Sequence, residues 1–220
     1  MTARVLRACA AAAGVAALTL TTACGPKAAD YQSIWTTPSS ATSTSPKPTE
    51  PPVPLSKYLE GEGVLGDPVL PSDLTDMVVS IPTPPGWKPR AVDSKASAKA
   101  VMISKGDSYP AAMLVVFKLR GEFNPSEAIK HANTDLPDSF HQLDASTADY
   151  NGFPSSMVQG TYELKGARMR SWNRVVMPTG PAPDNQRYLV QLIITSLAEQ
   201  AVSESNDVEA IIRGFVVARK

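Results

Sequence analysis

Near the middle of the chain lies an apolar stretch, AAMLVVFKL, that runs from Ala111 to Leu119. Hydrophobic residues stand at both odd and even positions, so a β-strand formed here would bury both of its faces. The pattern therefore predicts a central strand of a sheet that is covered on both sides.

Further strands are predicted on both sides of this stretch. The proline-rich segment 82–87 must leave the sheet, because proline donates no ladder hydrogen bond. Lys165-Gly166 is typical of the turn of a long hairpin. In chain order, the predicted strands cover residues 77–81, 99–104, 111–119, about 142–148, 155–164, 167–177 and, as the last strand, 187–196.

Three helices are predicted from their start signals. The first is short and has Ser56 as its N-cap. The second begins at Asn124, with Pro125 in the first helical position and Glu127 closing a capping box, and runs to about Asn133. The third is capped at Asn206 and carries an apolar stripe formed by Val208, Ile211, Ile212 and Phe215.

The order of these elements indicates the fold class. About seven strands follow one another with short connections, which favours antiparallel pairing. Helices that pack on an antiparallel sheet make an α+β fold. We therefore predict one α+β domain over residues 55–220, with an antiparallel sheet of six to seven strands flanked by helices.

Residues 1–23 are typical of a secretory signal peptide. Basic residues precede an apolar run at 8–20, which is shorter than the ~20 residues of a transmembrane helix. Cys24 follows small residues, as in a bacterial lipobox, although Thr21 stands where that motif usually has leucine. The sequence predicts a lipoprotein whose lipid is attached at Cys24. The alternative is an ordinary secreted protein cut near Ala23.

Residues 24–54 are predicted to form a disordered tether. Serine, threonine and proline dominate this segment without apolar periodicity, so it cannot repay the entropy of ordering. Proline at this density favours an extended chain. The expected arrangement is a domain held by its lipid at the extracytoplasmic face of the cell membrane.

Composition excludes some functions. The chain has 21 basic and 21 acidic residues, so it lacks the positive charge of a nucleic-acid-binding domain. Its two cysteines are Cys9, in the signal peptide, and Cys24, so the domain cannot be held by a disulfide. Its stability must therefore come from a packed core.

Four segments carry a resemblance to a known family. They are CGPK at 24–27, VVSIPTPPGW at 78–87, NGFPSSM at 151–157 and RYLVQL at 187–192. Over nearly the whole chain the sequence resembles the mycobacterial LpqN/LpqT lipoproteins, and LpqT members in particular. The resemblance implies the PsbP/Mog1-like fold, an α/β/α sandwich, and an association with envelope lipid traffic and large membrane lipid exporters. Because no catalytic residues are attributed to this family, it also implies a binding or accessory role.

The sequence offers no candidate catalytic residue. The segment 152–156 does not match the Gly-x-Ser-x-Gly elbow of hydrolases, and the chain has no phosphate-binding glycine loop. His131 and His141 stand ten apart, which is not a metal-ligand spacing. We therefore predict no catalytic residue, no metal site and no cofactor.

One strand carries a candidate ligand site. Period-2 alternation places Arg168, Arg170, Trp172 and Arg174 on one face. Guanidinium groups bind phosphates and carboxylates, and an indole offers a flat surface for a sugar ring or an acyl chain. The alternative is a solvated face with extended arginines. Trp87 is a further candidate, either as the lip of a pocket or as the apolar plug of the proline-rich turn.

Two functions remain open from the sequence. The first is a non-enzymatic membrane-anchored lipoprotein that binds or hands over an envelope lipid or glycolipid. The second is an accessory module that docks on a membrane lipid transporter and needs no cavity.

The lipobox interpretation predicts a diacylglycerol on the thiol of Cys24 and an acyl chain, such as palmitate, on its amino group. Two or three chains anchor stably because each buried methylene contributes ~0.8 kcal/mol. Changing Cys24 to Ala should release the protein or leave an uncleaved precursor. Mass spectrometry of the N-terminal peptide tests this, and a peptide that starts at Cys24 without added lipid mass would contradict it.

Overall fold

The computed structural model describes residues 53–92 and 99–220. The predicted signal peptide, the lipid-attachment residue Cys24 and nearly all of the predicted tether lie outside the described residues, so they stay predictions.

Three helices and ten strands make up the described part of the chain. The helices are α1 Leu55–Gly61, α2 Pro125–Ala128, which a 3-10 turn extends to His131, and α3 Ser205–Arg213. The strands are β1 Leu65–Val69, β2 Met77–Ser80, β3 Lys88–Arg90, β4 Val101–Ser104, β5 Ala111–Arg120, β6 His141–Ser146, β7 Ser155–Leu164, β8 Ala167–Val176, β9 Arg187–Leu197 and β10 Val216–Arg219.

Eight strands form one antiparallel sheet, in which seven follow the order β3-β4-β5-β9-β8-β7-β6 and the eighth, β1, pairs with β5. On the edge of β5 away from β9, β4 pairs with the first half of β5 and β1 pairs with the second half. Strands β2 and β10 form a separate two-stranded antiparallel sheet. The central position predicted for residues 111–119 is confirmed.

The large sheet is covered on both faces. On one face, Leu114 and Val116 of β5 pack in a cluster that includes Ile211 of α3 and Met77 of the small sheet. On the other face, Leu119 of β5 and Val175 of β8 pack with α1 and α2 in a second cluster, which contains Leu59 and Ile129. The predicted α+β fold, with an antiparallel sheet flanked by helices, is therefore confirmed.

Two of the three predicted helix caps are wrong. The carbonyl of Pro54 accepts from the backbone N–H of Tyr58 at 2.9 Å, so α1 begins before Ser56 and Ser56 lies inside it. Helix α3 likewise begins at Ser205, so Asn206 is a helical residue. Within the described residues, neither N-cap residue, Pro54 or Glu204, makes a capping hydrogen bond from its side chain to its own helix.

The cap of α2 is confirmed in part. The side chain of Asn124 accepts from the backbone N–H of Ser126 at 2.9 Å, and Pro125 occupies the first helical position. Glu127 binds Lys130 at 2.8 Å instead of reaching back to close a capping box. The helical segment ends at His131 rather than near Asn133, which has a left-handed backbone with φ of 59°.

Three short strands were not predicted. Strand β1 contains Pro68 and strand β3 contains Pro89. Much of each strand is exposed, so neither sequence shows the alternation of apolar and polar residues that marks a strand with one buried face. Proline is tolerated where a strand edge needs no N–H donor. Strand β10 follows α3, so the prediction that residues 187–196 form the last strand is wrong.

Because the core lies on both faces of the sheet, we predict that buried and exposed leucines contribute very differently to the free energy of unfolding. Leu114 is 1% exposed in β5, whereas Leu143 is 58% exposed in the edge strand β6. Changing Leu114 to Ala should lower the free energy of unfolding by about 2–5 kcal/mol, because it leaves a cavity. Leu143→Ala is the matched control and should stay within about 0.5 kcal/mol. Urea denaturation measures both, and equal effects would contradict the assigned core.

Candidate functional site

A cleft lies between α3 and the face of the large sheet beneath it. Its volume is about 490 Å³. Strands β7, β8 and β9 form its floor, and the segment from Ala201 to Ile212 forms its roof. We call it the α3 cleft, and its lining residues are Gln159, Arg170, Trp172, Ile194, Ser196, Ala201, Val202, Ser205, Val208, Glu209 and Ile212.

Strand register brings the polar and aromatic floor residues together. Trp172 stands between Gln159 on β7 and Ile194 on β9, and the neighbouring row has Arg170 opposite Ser196. Trp172 is 8% exposed, so its ring is largely packed in the floor. Cross-strand neighbours on one face of an antiparallel sheet lie close enough to interact. The floor therefore places an aromatic surface beside a guanidinium group.

Arg170 is exposed and has no assigned structural partner. Within residues 53–92 and 99–220 it makes no ion pair and no side-chain hydrogen bond. Glu209, the acidic residue of the lining, instead pairs with Arg213. A free guanidinium at the edge of an apolar cleft is suited to an acidic or hydroxylated headgroup.

The other two arginines of the predicted face are separated from the cleft. Arg168 is exposed and lies near the hairpin turn, outside the cleft's lining. Arg174 is half-buried, and its guanidinium carbon lies 4.8 Å from the centre of the Tyr150 ring and 5.5 Å from that of Trp172. Of the four residues predicted on this strand, the structure brings Arg170 and Trp172 together in one cavity.

Arg174 has an unusual environment for a cation. Its Nη1 donates to the hydroxyl of the buried Ser155 at 3.0 Å, while its Nε is buried without a hydrogen-bond partner among the described residues. Burial lowers the pKa of Arg174, and the facing Tyr150 opposes that shift. Burial likewise raises the pKa of the Tyr150 hydroxyl. Arg174 is therefore held by rings and a hydroxyl rather than by a carboxylate.

Trp87 lies in the core rather than at the cleft. It is 4% exposed, and its indole N–H donates to Oδ2 of Asp207 at 3.1 Å. It is absent from the lining of the α3 cleft. Of the two interpretations open from the sequence, this placement supports the apolar plug of the proline-rich turn.

Trp87 belongs to a set of contacts that fix the start of α3. Nζ of Lys105 lies 2.9 Å from Oδ2 of Asp207 and 3.0 Å from Oε2 of Glu204. We call Trp87, Lys105, Glu204 and Asp207 the α3 clasp. Lys105 and then Trp87 lower the pKa of Asp207, while Asp207 and then Glu204 raise the pKa of Lys105. The clasp holds the roof of the cleft against the turn that follows β4.

The clasp and most of the cleft lining were not predicted from the sequence. Lys105 and Asp207 are separated by 102 positions, so no local spacing relates them. The apolar stripe predicted on α3 was a usable signal, because Val208 and Ile212 of that stripe line the roof.

Comparison with known proteins identifies the family. A family model described as "Probable lipoprotein LpqN" matches residues 51–218, which is most of the chain. The chain belongs to the LpqN lipoprotein family. The resemblance drawn from the four sequence segments is thereby confirmed.

Curated relatives agree with this assignment. The chain is 56% identical to the lipoprotein LpqT of Mycobacterium tuberculosis over 98% of its own length and 96% of that protein. It is 54% identical to LpqT of Mycobacterium leprae over 95% of each chain. The sequence is therefore similar to mycobacterial lipoproteins along nearly its full length.

Among solved structures, the chain is similar to LpqN, a protein involved in cell envelope biogenesis of M. tuberculosis. The TM-score is 0.62 at 18% identity, over 76% of this chain and 99% of that one. A likeness at this identity supports the fold. Cyanobacterial PsbP from Synechocystis matches with a TM-score of 0.42 at 10% identity, over 66% of this chain and 94% of that one.

Two further features of the described residues bear on the site. None of their helices is long and apolar enough to cross a membrane. Their histidine, cysteine, aspartate and glutamate side chains form no group of three that could hold a metal ion.

The α3 clasp predicts a pH dependence of stability. Because the pKa of Asp207 is lowered in the folded state, its contribution is present above the unfolded pKa and is lost as pH falls through the folded pKa. Asp207→Asn should therefore destabilise the protein at pH 7, and the difference from wild type should shrink as the pH falls from 7 through the folded pKa of Asp207. Urea denaturation across this range measures it. Asp149→Asn, at an exposed carboxylate without an ion pair in the described residues, is the control, and a constant difference for Asp207→Asn would contradict the prediction.

Proposed function

We propose that this protein is a non-enzymatic lipoprotein, anchored at the extracytoplasmic face of the membrane, that binds or hands over a cell-envelope lipid or glycolipid. Its family is described as lipoproteins. LpqN, whose fold it shares, is a protein involved in cell envelope biogenesis. Both findings support a role in the envelope, and the lipid ligand is our own inference from the α3 cleft.

The observation that carries the proposal is Arg170, which has no ion-pair partner within residues 53–92 and 99–220, beside Trp172 in the floor of the cleft. The lining combines apolar side chains from β8, β9 and α3 with this one cation. Small-molecule sites are typically concave, mostly apolar, ~300–1,000 Å³ in volume and equipped with a few polar groups that orient the ligand. The α3 cleft, at about 490 Å³, has this composition and size.

An amphiphile fits this arrangement. Its acyl portion would pack on Trp172, Ile194 and Val208, where water is displaced from apolar surface. Its polar head would contact Arg170, which is exposed, and the hydroxyl of Ser205 at the roof. Because Arg170 makes no competing ion pair in the described residues, it binds a headgroup without first breaking one.

The predicted anchor would bring this site close to a membrane ligand. A lipidated Cys24 and the tether of about 30 residues that the sequence predicts would hold the domain near the membrane without fixing its orientation. A tethered binding domain samples nearby ligand at a high effective concentration. Transfer of lipid between membrane components is consistent with that arrangement.

A second candidate function is docking on a membrane lipid transporter. Strand β6 lies at one end of the large sheet, and no described strand pairs with its outer edge. Leu143 of this strand is 58% exposed. Such an edge can accept a strand from a partner. Crosslinking in intact cells discriminates the two functions, since a transporter partner retained after the α3 cleft is blocked would favour docking.

Arg170→Gln tests the headgroup contact directly. Removing a charged hydrogen-bond donor should weaken lipid binding by roughly 10- to 100-fold, while the melting temperature stays nearly unchanged because the residue is exposed. Binding to phosphatidylglycerol vesicles and to trehalose glycolipid is measured on the same samples as the thermal melt. Trp172→Ala should also weaken binding, but with a loss of stability, because the ring is packed in the floor.

Arg168→Gln is the matched control. This arginine lies on the same face of β8 and is also exposed, but it is outside the cleft's lining. Equal loss of binding in both variants would indicate a non-specific charge effect. Unchanged binding in Arg170→Gln and Trp172→Ala would remove the α3 cleft from the function, as would native mass spectra of protein from mycobacterial cells that show no retained lipid.

A further inference from the structure

A second cavity lies on the opposite face of the large sheet, beneath α1. Its volume is about 360 Å³. We call it the α1 pocket, and α1, β1, β5, β8, β9 and the segment after α2 all contribute to it. The residues on which the argument depends are Gly66, Leu119, Asn133, Asn173, Val175 and Gln191.

The α1 pocket and the α3 cleft cannot be parts of one cavity. Side chains alternate along β8, so Trp172 faces the cleft while the next residue, Asn173, faces the pocket. Strand β9 repeats this division with Ile194 and Gln191. The hydrogen-bonded ladder between β8 and β9 lies between the two cavities.

The walls of the pocket are mostly apolar, but three connected amides interrupt them. Nε2 of Gln191 donates to Oδ1 of Asn173 at 3.1 Å, and Nδ2 of Asn173 donates to Oδ1 of Asn133. Nδ2 of Asn133 in turn donates to the hydroxyl of Ser156 at 3.0 Å. Every link runs in the same direction, so the amides form a continuous relay across two strands and a loop.

The relay ends at Gln191 with unused hydrogen-bonding capacity. A glutamine side chain has two N–H donors and one carbonyl acceptor. Among the described residues, Gln191 uses one donor, and its Oε1 accepts no hydrogen bond. The open end of the relay can therefore donate one hydrogen bond and accept another from a ligand in the pocket.

The charge of the lining selects against anions. It contains no lysine or arginine among its described residues, and its one ionisable group is the exposed carboxylate of Asp135. A phosphate or carboxylate headgroup would find no cation here and would be repelled by Asp135. A hydroxyl is neutral and both donates and accepts, which matches the free end of Gln191.

We propose that the α1 pocket is a second ligand site, specific for an uncharged hydroxyl-bearing amphiphile with a short or single apolar chain. The chain packs on the apolar walls, which include Leu119 and Val175, and a hydroxyl of its sugar or glycerol head binds Gln191. The cavity lies near the lower limit of ~300 Å³ for ligand sites, so it accommodates one chain rather than several. This site is independent of the headgroup site proposed in the α3 cleft.

Eight-carbon probes that differ in their heads test the specificity. The protein is the chain from Cys24 to Lys220 with Cys24→Ala, which retains every described residue and carries no acyl chain of its own. The neutral probes are octyl glucoside and monooctanoylglycerol, and octyl phosphate is the anionic comparator, all below their micelle-forming concentrations. NMR follows the methyl groups of Leu119 and Val175 in the pocket and of Ile194 and Ile212 in the cleft.

At least one neutral probe should shift the NMR signals of the pocket methyl groups. Octyl phosphate should bind in the pocket at least tenfold more weakly than that probe. Preference for the glucoside or for the glycerol ester then identifies the head as a sugar or as glycerol. Gln191→Leu should weaken the neutral probe by about two- to tenfold, the range expected for one hydrogen bond.

A second variant fills the pocket without changing any of the three amides. It therefore tests the site even if Gln191→Leu disturbs the relay. Gly66 lies in β1, and a Cβ added there would be 3.5 Å from Cδ2 of Leu119 and 3.6 Å from Cδ1 of Phe117, both ordinary contacts. Gly66→Leu should therefore fill the pocket and reduce binding more than tenfold. Gly61→Leu is the matched control, because a Cβ at that position meets no atom of the described residues within 4 Å, and it should leave affinity within about twofold.

Three results would overturn the proposal. They are no shift of the pocket methyls by either neutral probe, equal binding of octyl phosphate there, and unchanged neutral-probe binding in Gly66→Leu. If Arg170→Gln abolishes neutral-probe binding while Gly66→Leu does not, the ligand lies in the α3 cleft and the α1 pocket is not a ligand site.

Discussion

The whole molecule depends on the burial of both faces of β5, β9 and β8. Because side chains alternate along each strand, one register gives each face of the sheet its own set of residues. On β8 this alternation separates Trp172 from Asn173, and on β9 it separates Leu192 from Gln191. A slip of one residue in the pairing register would exchange the two sets. It would place amides in the core cluster beneath α3 and an indole in the cluster beneath α1 and α2. The register therefore fixes the fold and the position of both cavities.

Arg174 is a positive charge that is half-buried on the face of β8 that carries Trp172. Arg174 is half-buried and has no carboxylate partner in the described residues. Such a cation destabilises the folded state, because the free energy of desolvation exceeds the attraction of weakly polar neighbours. The rings of Tyr150 and Trp172 and the hydroxyl of Ser155 recover part of that cost. Cation–π contacts of this type contribute ~0.5–2 kcal/mol each. Trp172 thereby serves two purposes, because it supports Arg174 and also forms the floor of the α3 cleft.

Features encoded by local spacing could be predicted, and features that depend on distant contacts could not. The continuous apolar run placed β5, the Lys165-Gly166 turn placed the hairpin of β7 and β8, and the Asn124-Pro125 pair placed α2, because each signal acts within a few residues. Alternation also put Arg170 beside Trp172. Strand β10 and the α3 clasp escaped prediction, because β10 pairs with β2 and Lys105 pairs with Asp207 more than 100 positions away. The separation of Arg168 and Arg174 from the cleft likewise depends on where α3 crosses the sheet.

The roof of the α3 cleft is held unevenly, and this determines which part of it can move. Ile211 is fully buried and Phe215 is 3% exposed, so the C-terminal end of α3 is fixed in the core. The N-terminal turn is held by the hydrogen bond from Trp87 to Asp207 and by Lys105. The pairs of Lys105 with Glu204 and Asp207 are partly open to solvent, and such pairs add little stability. Opening at that turn disrupts far less apolar packing than displacing the whole helix. For the ligand that we propose for the cleft, entry is therefore least costly past the clasp, at the end of the roof where Val202 and Ser205 lie.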